Sequence, residues 1–176
     1  SSAASDVYKR QSWSAEESTR RLRDDQARAG KIIGVVEHYW LGYPDAGEYN
    51  YFDVRRDIIK HIRMVRPDIL VTMDPWMLYE AHSDHVMAAR ATAEAAILYD
   101  FVRLKTDPEV DANYQPHPLQ AVVFHATSYP NTVFDISGTI EKKNAAIRCY
   151  KAQFPESAFD GLVNRTMAYA SYIARN

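Results

Sequence analysis

The sequence contains a single cysteine, Cys149, so no disulfide and no cysteine-based zinc site can form within the chain. It has no apolar run long enough to cross a bilayer, and its first residues lack the apolar core of a signal peptide. The formal net charge is only -2, which gives no attraction for a polyanion. We therefore expect a cytoplasmic protein that has no membrane segment and binds no nucleic acid.

The composition is that of a globular protein, with 47% hydrophobic and 25% charged residues in a chain of 176. Its first segment, Ser1–Gln11, has no periodicity. The segment can be back-translated in frame to a string that looks like the transposon adapter used for shotgun sequencing libraries, so we interpret it as a non-native tail. We expect residues 12–176 to form one domain that is incomplete at its N-terminus.

Helical and strand-like patterns alternate along the chain. Apolar residues recur at helical spacing from Phe52 to Val65, and a short apolar strand is predicted over residues 68–73. An alanine-rich helix is predicted from Ser83 onward, followed by a strand over residues 119–124. This alternation predicts an α/β fold, a Rossmann-like, doubly wound and mostly parallel sheet with flanking helices, whose first strand or strands are missing.

Other elements are predicted at both ends of the chain. Ser14 is typical of a helix N-cap, and Gly30 is the expected end of that helix. Asp24 and Asp25 lie among arginines, which predicts surface ion pairs. The remaining predictions are a strand within residues 32–41, a loop over 106–118, and helices over 140–154 and 162–173.

A short histidine-rich stretch stands out where the strand over residues 68–73 leads towards a helix. His82, Asp84 and His85 fall within four positions, at the place where an open α/β sheet usually carries its chemistry. Imidazole nitrogens and carboxylates are the groups that a hydrolytic metal site needs as ligands, acids and bases. The spacing suits one metal ligand, one acid/base group, and a carboxylate that hydrogen-bonds a ring nitrogen.

A purely structural interpretation of the same stretch is equally open. Ser83 is a good N-cap and Asp84 a good first-turn residue, so the pair can simply begin a helix. Asp45 lies in a turn after the apolar run of residues 32–41. It is a candidate for substrate contact, with an ordinary turn residue as the alternative.

Four pieces of the chain, in order, resemble the LmbE-like, or PIG-L, family of zinc-dependent N-acetylglucosaminyl deacetylases. They are Leu41-Gly42-Tyr43-Pro44-Asp45, Arg66–Thr72 followed by Asp74-Pro75, His82-Ser83-Asp84-His85, and Asp135-Ile136-Ser137 followed by Lys143, Ala146, Ala152 and Gln153. The third piece resembles the family's His-Pro-Asp-His motif with serine in place of proline. The resemblance extends from about Ser14 to Ile173.

The resemblance implies roles for the matching residues. His85 falls on a zinc ligand, and His82 on the group that stabilises the oxyanion or protonates the leaving amine. Asp84 falls on the carboxylate that supports a histidine. The family's remaining zinc ligands and general base belong to an Ala-His-Pro-Asp-Asp-Glu motif, which does not occur in this sequence.

The implied protein is a metal-dependent C–N amide hydrolase that removes an N-acetyl or N-acyl group from an amino sugar or glycoconjugate, with Zn²⁺ as cofactor. The 176-residue chain itself is expected to bind zinc weakly and to be inactive, because it retains one zinc ligand. Two alternatives remain: a metal-dependent amidase acting on a non-sugar N-acyl substrate, and a non-catalytic Rossmann-like module that binds a sugar or nucleotide. A Gly-rich phosphate loop, which the binding module would use, is not present in the sequence.

Overall fold

The structure is a computed structural model that describes residues 13–46 and 48–173, so the expected adapter-derived tail lies outside the described residues. The described chain forms two compact units. Residues 40–130, without 47, form what we call the central unit, and residues 13–39 together with 131–173 form the terminal unit. Among these residues, no helix is both long and apolar enough to span a membrane.

The central unit is an α/β structure. Its elements in chain order are α2 (Tyr51–Val65), β1 (Ile69–Met73), α3 (Ser83–Leu98), α4 (Pro108–Asn113) and β2 (Ala121–His125). The two strands pair in parallel, from Ile69 opposite Ala121 to Met73 opposite His125. Two parallel strands need a long crossover connection, and here it contains the helices α3 and α4. The predicted α/β class with parallel strand pairing is confirmed.

A small apolar core holds the central unit together. Ile59 and Ile62 of α2 are buried against Ala95 of α3 and against Tyr99. The Tyr99 hydroxyl donates to the carbonyl of His117 at 2.6 Å and accepts from the N–H of Leu119 at 3.0 Å, so this buried polar group is satisfied. The core thereby fixes both helices beside the chain that leads into β2.

The terminal unit consists of helices, numbered in chain order as α1 (Ala15–Ile33), α5 (Ile140–Ile147) and α6 (Phe159–Ile173), with a single 3₁₀ turn over Glu156–Ala158. The predicted cap of α1 is confirmed, because the Ser14 side chain accepts from the backbone N–H of Glu17 at 3.1 Å.

Two predictions near the end of α1 are wrong. The helix continues through Gly30 and ends at Gly34, which has a φ of 92°. A Cβ on Gly30 would lie 2.6 Å from the His38 ring, so Gly30 permits a close approach and does not end the helix. The expected strand is absent, since residues 35–44 adopt no regular structure; β-branched residues favour a strand only where a neighbouring strand pairs with them.

Asp25 also differs from its prediction, and so does the end of α5. Its carboxylate is buried, and it accepts from the backbone N–H of Ala152 at 2.6 Å while pairing with Arg28. Helix α5 ends at Ile147 instead of Phe154, and the N–H groups of Cys149 and Tyr150 donate three residues back, to the carbonyls of Ala146 and Ile147, as in turns. Asp24 makes the expected surface pair with Arg20 at 3.0 Å.

The segment predicted as a loop over residues 106–118 contains the short helix α4. Asp107 is its N-cap, with a side chain that accepts from the N–H groups of Glu109 and Val110. Pro108 occupies the first helical position, where a missing N–H costs nothing. The prolines that suggested a loop therefore include one that begins a helix.

Candidate active site

The candidate site lies at the carboxyl ends of the two paired strands. Met73 and His125 are the last residues of β1 and β2, and the next N–H, that of Asp74, donates to the His125 carbonyl at 2.9 Å. This bond fixes the start of the loop that carries the chain into α3. In parallel α/β sheets, this is the edge where ligands bind.

Turns fold the connecting loop over residues 74–82. The Asp74 side chain accepts from the N–H of Trp76 at 2.8 Å, and its carbonyl accepts from the N–H of Met77 at 3.2 Å. Tyr79 then adopts a φ of 63°, in the left-handed region that costs energy for a residue with a Cβ. Glu80 is the next residue and His82 lies two residues further on, so this strained turn determines the direction in which the chain enters the histidine stretch.

The two histidines of the stretch lie together. His82 is the N-cap of α3, but its side chain makes no capping hydrogen bond, and His85 lies in the first turn of the helix. The rings are stacked with centroids 4.4 Å apart and an angle of 20° between their planes. Ser83 is the first helical residue and not the cap, so the purely structural interpretation of the serine does not hold.

Glu80 connects both histidines through one carboxylate. Its Oε1 accepts from the backbone N–H of His82 at 2.8 Å, and its Oε2 lies 3.1 Å from Nδ1 of His85. The hydrogen bond from His82, followed by that of His85, holds the pKa of the Glu80 carboxyl below its usual value. The Glu80 side chain is 18% exposed and that of His85 is 49% exposed, so the ring of His85 remains accessible.

Asp84 connects the start of α3 to the turn that contains Asp45. Its Oδ2 accepts from the N–H of Ala46 at 3.0 Å, and its Oδ1 accepts from the Tyr49 hydroxyl at 2.9 Å. Burial opposes ionisation of Asp84, but these hydrogen bonds, a further one with the Asp45 side chain and the proximity of His82 hold its pKa below the usual value. Asp84 therefore fixes the turn beside the histidines.

Two tyrosines support this turn. Burial, followed by the hydrogen bond to Asp84, raises the pKa of Tyr49 to about 12, so the hydroxyl stays protonated and acts as a donor. The Tyr43 hydroxyl donates to Asp57 of α2 at 2.6 Å, and the two tyrosine rings lie 5.0 Å apart. Hydrogen bonds thus connect this turn and Tyr49 to both α2 and α3.

Three side chains of the site could share a metal ion. Ligand atoms of Asp45, His82 and Asp84 all lie within 4.8 Å of one another, and they combine one imidazole with two carboxylates. Zinc accepts this donor set, so the residues fit the implied class of metal. His85 is not a member of this group, although its ring stacks on that of His82.

The structure places all four sequence-predicted site residues in one region, but it changes one contact. Asp84 was expected to hydrogen-bond a histidine ring, whereas its hydrogen bonds go to Ala46, Tyr49 and Asp45. The carboxylate that meets a ring nitrogen is Glu80, which sequence reasoning missed. Its position two residues before His82 was the available signal, but the loop conformation that brings it back to His85 is not visible in the sequence.

Comparisons with known proteins give a consistent family. The PIG-L family, described as GlcNAc-PI de-N-acetylase, matches residues 3–96. A diacetylchitobiose deacetylase of Thermococcus kodakarensis is 33% identical over 147 residues, which are 84% of this chain and 55% of that protein.

Solved structures give the same picture. The N,N'-diacetylchitobiose deacetylase of Pyrococcus horikoshii, complexed with the inhibitor MPG, is similar with a TM-score of 0.78 and 28% identity. This match covers 93% of the present chain and 60% of the other. A conserved protein of Thermus thermophilus shares the fold, with a TM-score of 0.65 and 21% identity, over 88% of this chain and 68% of that one. The chain spans about half the length of the curated relative that it matches.

Proposed function

Because the chain belongs to the PIG-L family of GlcNAc-PI de-N-acetylases, we propose that it is part of a zinc-dependent enzyme that removes an N-acetyl group from an amino sugar. The observation that carries the proposal is the stacked pair of His82 and His85 at the carboxyl edge of a parallel sheet. Both rings stand beside carboxylates that are themselves fixed by hydrogen bonds. This arrangement suits hydrolysis better than a simple helix start.

His85 is the residue that we propose as a zinc ligand in this chain, and the further ligands are expected in the Ala-His-Pro-Asp-Asp-Glu motif of the family. When bound, zinc supplies Lewis acidity that activates water and polarises an amide carbonyl. Asp45, with His82 and Asp84, forms the group of ligand atoms that could instead hold an ion. The choice between these ligand sets is open to measurement.

In the proposed reaction, the oxygen of water joins the acetyl carbon, the C–N bond breaks, and acetate and a free amine leave. His82 is placed to give a proton to the departing nitrogen or to hold the developing oxyanion, because its ring makes no capping bond and is exposed. Asp84 positions the turn of residues 43–46 next to that ring. Asp45, exposed in this turn, is proposed to contact a sugar hydroxyl.

The proposed substrate is a short N-acetylated glucosamine saccharide, since the relatives of known name are diacetylchitobiose deacetylases. The chain alone is proposed to be inactive, as it contains no Ala-His-Pro-Asp-Asp-Glu motif. A cytoplasmic location stays a prediction.

Acetate release from N,N'-diacetylchitobiose tests the proposal, with an N-acetyl amino acid as the competing substrate. We expect zinc-dependent release from the disaccharide when the chain is joined to an N-terminal segment that carries the family's Ala-His-Pro-Asp-Asp-Glu motif, and none from the 176 residues alone. Preferential hydrolysis of the amino acid would favour the non-sugar amidase. Binding of the disaccharide without acetate release would favour the non-catalytic module.

A further inference from the structure

One carboxylate in the site serves two donors. Glu80 lies in the loop before α3, and its two oxygens face different groups: Oε1 the backbone N–H of His82 at 2.8 Å, and Oε2 the ring Nδ1 of His85 at 3.1 Å. The side chain is largely enclosed, with 18% of its surface exposed. Neither the family resemblance nor the sequence pattern assigned it a role.

We propose that Glu80 is a positioning residue that keeps the proton of the neutral His85 ring on Nδ1, so that Nε2 is the nitrogen offered to zinc. The inference rests on the proposed function only in taking His85 as the ligand. It concerns the ring orientation and tautomer of His85 and assigns Glu80 no contact with substrate.

The donors and acceptors around Glu80 determine which nitrogen of the His85 ring carries the proton. A backbone N–H can only donate, so the bond from His82 uses Oε1 as an acceptor. An ionised carboxylate has no proton of its own, so the contact with His85 requires the ring Nδ1 to be the donor. A neutral imidazole carries one N–H, and its other nitrogen then holds a free lone pair. That lone pair on Nε2 is what a metal ion needs.

The neighbouring carboxylate is already engaged elsewhere. Both oxygens of Asp84 accept hydrogen bonds, one from the N–H of Ala46 and the other from the Tyr49 hydroxyl. Within the described residues, the carboxylate within hydrogen-bond distance of His85 is that of Glu80. Glu80 also binds the backbone N–H of His82. The same carboxylate therefore contacts the His85 ring directly and holds the backbone of His82, whose ring stacks on that of His85 with centroids 4.4 Å apart.

A Glu80→Gln variant separates this role from a general loss of structure. Two N–H donors face the side chain, but an amide offers only one acceptor oxygen, so one of the two bonds must be lost. Glu80→Asp retains both acceptor oxygens on a side chain one methylene shorter, and it serves as the conservative rescue. Glu94→Gln is the matched control, because it also replaces one glutamate by glutamine and removes one negative charge. Glu94 lies in α3, where its carboxylate pairs with Arg55 at 2.6 Å.

The first measurement is the ¹⁵N chemical shift of the His85 ring nitrogens by NMR, at an alkaline pH where imidazoles are neutral and without metal. Comparison with a His85→Gln variant assigns the signals. We expect the protonated nitrogen to be Nδ1 in the unchanged chain and in Glu94→Gln. We expect a mixture of tautomers, or protonation on Nε2, in Glu80→Gln, and at least partial recovery in Glu80→Asp.

The second measurement is the affinity for Zn²⁺ by isothermal titration, made on the chain joined to an N-terminal segment that carries the family's Ala-His-Pro-Asp-Asp-Glu motif. Loss of the group that orients a ligating histidine is expected to weaken zinc binding by about 10- to 100-fold, with no change in Glu94→Gln. Protonation on Nε2 in the unchanged chain would overturn the inference, as would a Glu80→Gln chain with the ring shifts of the control. Absence of zinc binding in the protein that also carries the Ala-His-Pro-Asp-Asp-Glu motif would count against the proposed function, while the ring shifts of the 176-residue chain would still decide the role of Glu80.

Discussion

Asp84 shows how a single side chain links the site to the rest of the central unit. Its carboxylate accepts hydrogen bonds from the Ala46 N–H and the Tyr49 hydroxyl, 38 and 35 residues away along the chain. Each of these donors would otherwise have to find water or another acceptor. The position of the turn beside His82 therefore depends on a residue that the sequence places next to the histidines.

We predict that Asp84→Asn lowers the free energy of unfolding by about 1–3 kcal/mol, because the amide can accept only one of the two bonds and leaves a donor unsatisfied. Urea unfolding measures the loss, and hydrogen exchange should show faster exchange over residues 40–50. Asp53→Asn is the control, since its ion pair with Arg56 is half exposed and worth at most about 1 kcal/mol. Equal losses in the two variants would contradict this assignment.

Asp111 gives the chain a pH-dependent contribution to stability. Burial raises its pKa, but bonds from the Thr106 hydroxyl and N–H and the contact with Arg63 outweigh burial and hold the pKa below its usual value. An Asp with a lowered pKa stabilises the fold fully above its unfolded pKa of about 4, and this contribution is lost as the pH falls through the folded value.

We therefore predict that the free energy of unfolding falls more steeply below about pH 4 in the unchanged chain than in Asp111→Asn, which has no proton to bind at that position. A series of urea unfolding curves across acid pH measures the two slopes. Parallel slopes would show that Asp111 does not contribute to the acid sensitivity of the fold.

The site residues that could be predicted are those whose chemistry is local in sequence. His82, Asp84 and His85 fall within four positions, and a helix start brings such residues to one edge of the sheet whatever the rest of the chain does. Glu80 and Tyr49 could not be predicted, because their contacts depend on the conformations of two loops. A polar residue in a loop carries no periodic signal of its partner.

At the scale of elements, Arg63 joins α2 to the segment that follows α3. Its side chain is 1% exposed and donates to the carbonyls of Tyr99, Phe101 and Leu104 and to Asp111 at 2.6 Å. The guanidinium therefore satisfies three carbonyls in the connection between α3 and α4 and one carboxylate within α4. A charge this deeply buried is stable only with such a complete set of partners.

We predict that Arg63→Met destabilises the chain by about 3–5 kcal/mol, since it leaves Asp111 charged and unpaired as well as three carbonyls without their donor. Thermal unfolding followed by circular dichroism checks this value. Arg56→Met is the comparison, because its ion pair with Asp53 is half exposed and should cost at most about 1 kcal/mol. A loss for Arg63→Met no larger than that of the comparison would contradict the role of Arg63.

Elements with a strong periodic signal were predicted within a few residues, and elements fixed by tertiary contacts were not. Helix α2 was expected from Phe52 and begins at Tyr51, while β1 was expected over 68–73 and covers Ile69–Met73. The strand predicted over residues 32–41 does not form, because its first two residues belong to the last turn of α1 and the left-handed Gly34 interrupts the rest. Helix α5 ends early, at Ile147, and beyond it the Ala152 N–H is bound by Asp25, 127 residues away in the sequence.

At the scale of the whole molecule, the chain spans 55% of the length of the Thermococcus relative and 60% of that of the Pyrococcus structure. Within the described residues, the parallel sheet has two strands, and the face of β1 that carries Ile69 and Val71 leaves these side chains 52% and 63% exposed. The central claim is that this chain carries one half of a zinc deacetylase site, with His85 as its metal ligand.

The zinc content of dialysed protein, measured by atomic absorption beside acetate release from N,N'-diacetylchitobiose, tests that claim most directly. We predict one zinc per chain and zinc-dependent activity when the chain is joined to a segment that carries the family's Ala-His-Pro-Asp-Asp-Glu motif, loss of both in the His85→Ala form of that protein, and neither in the 176-residue chain. A His85→Ala form of the joined protein that keeps its zinc and its activity would contradict the claim, as would stoichiometric zinc and deacetylation by the 176 residues alone.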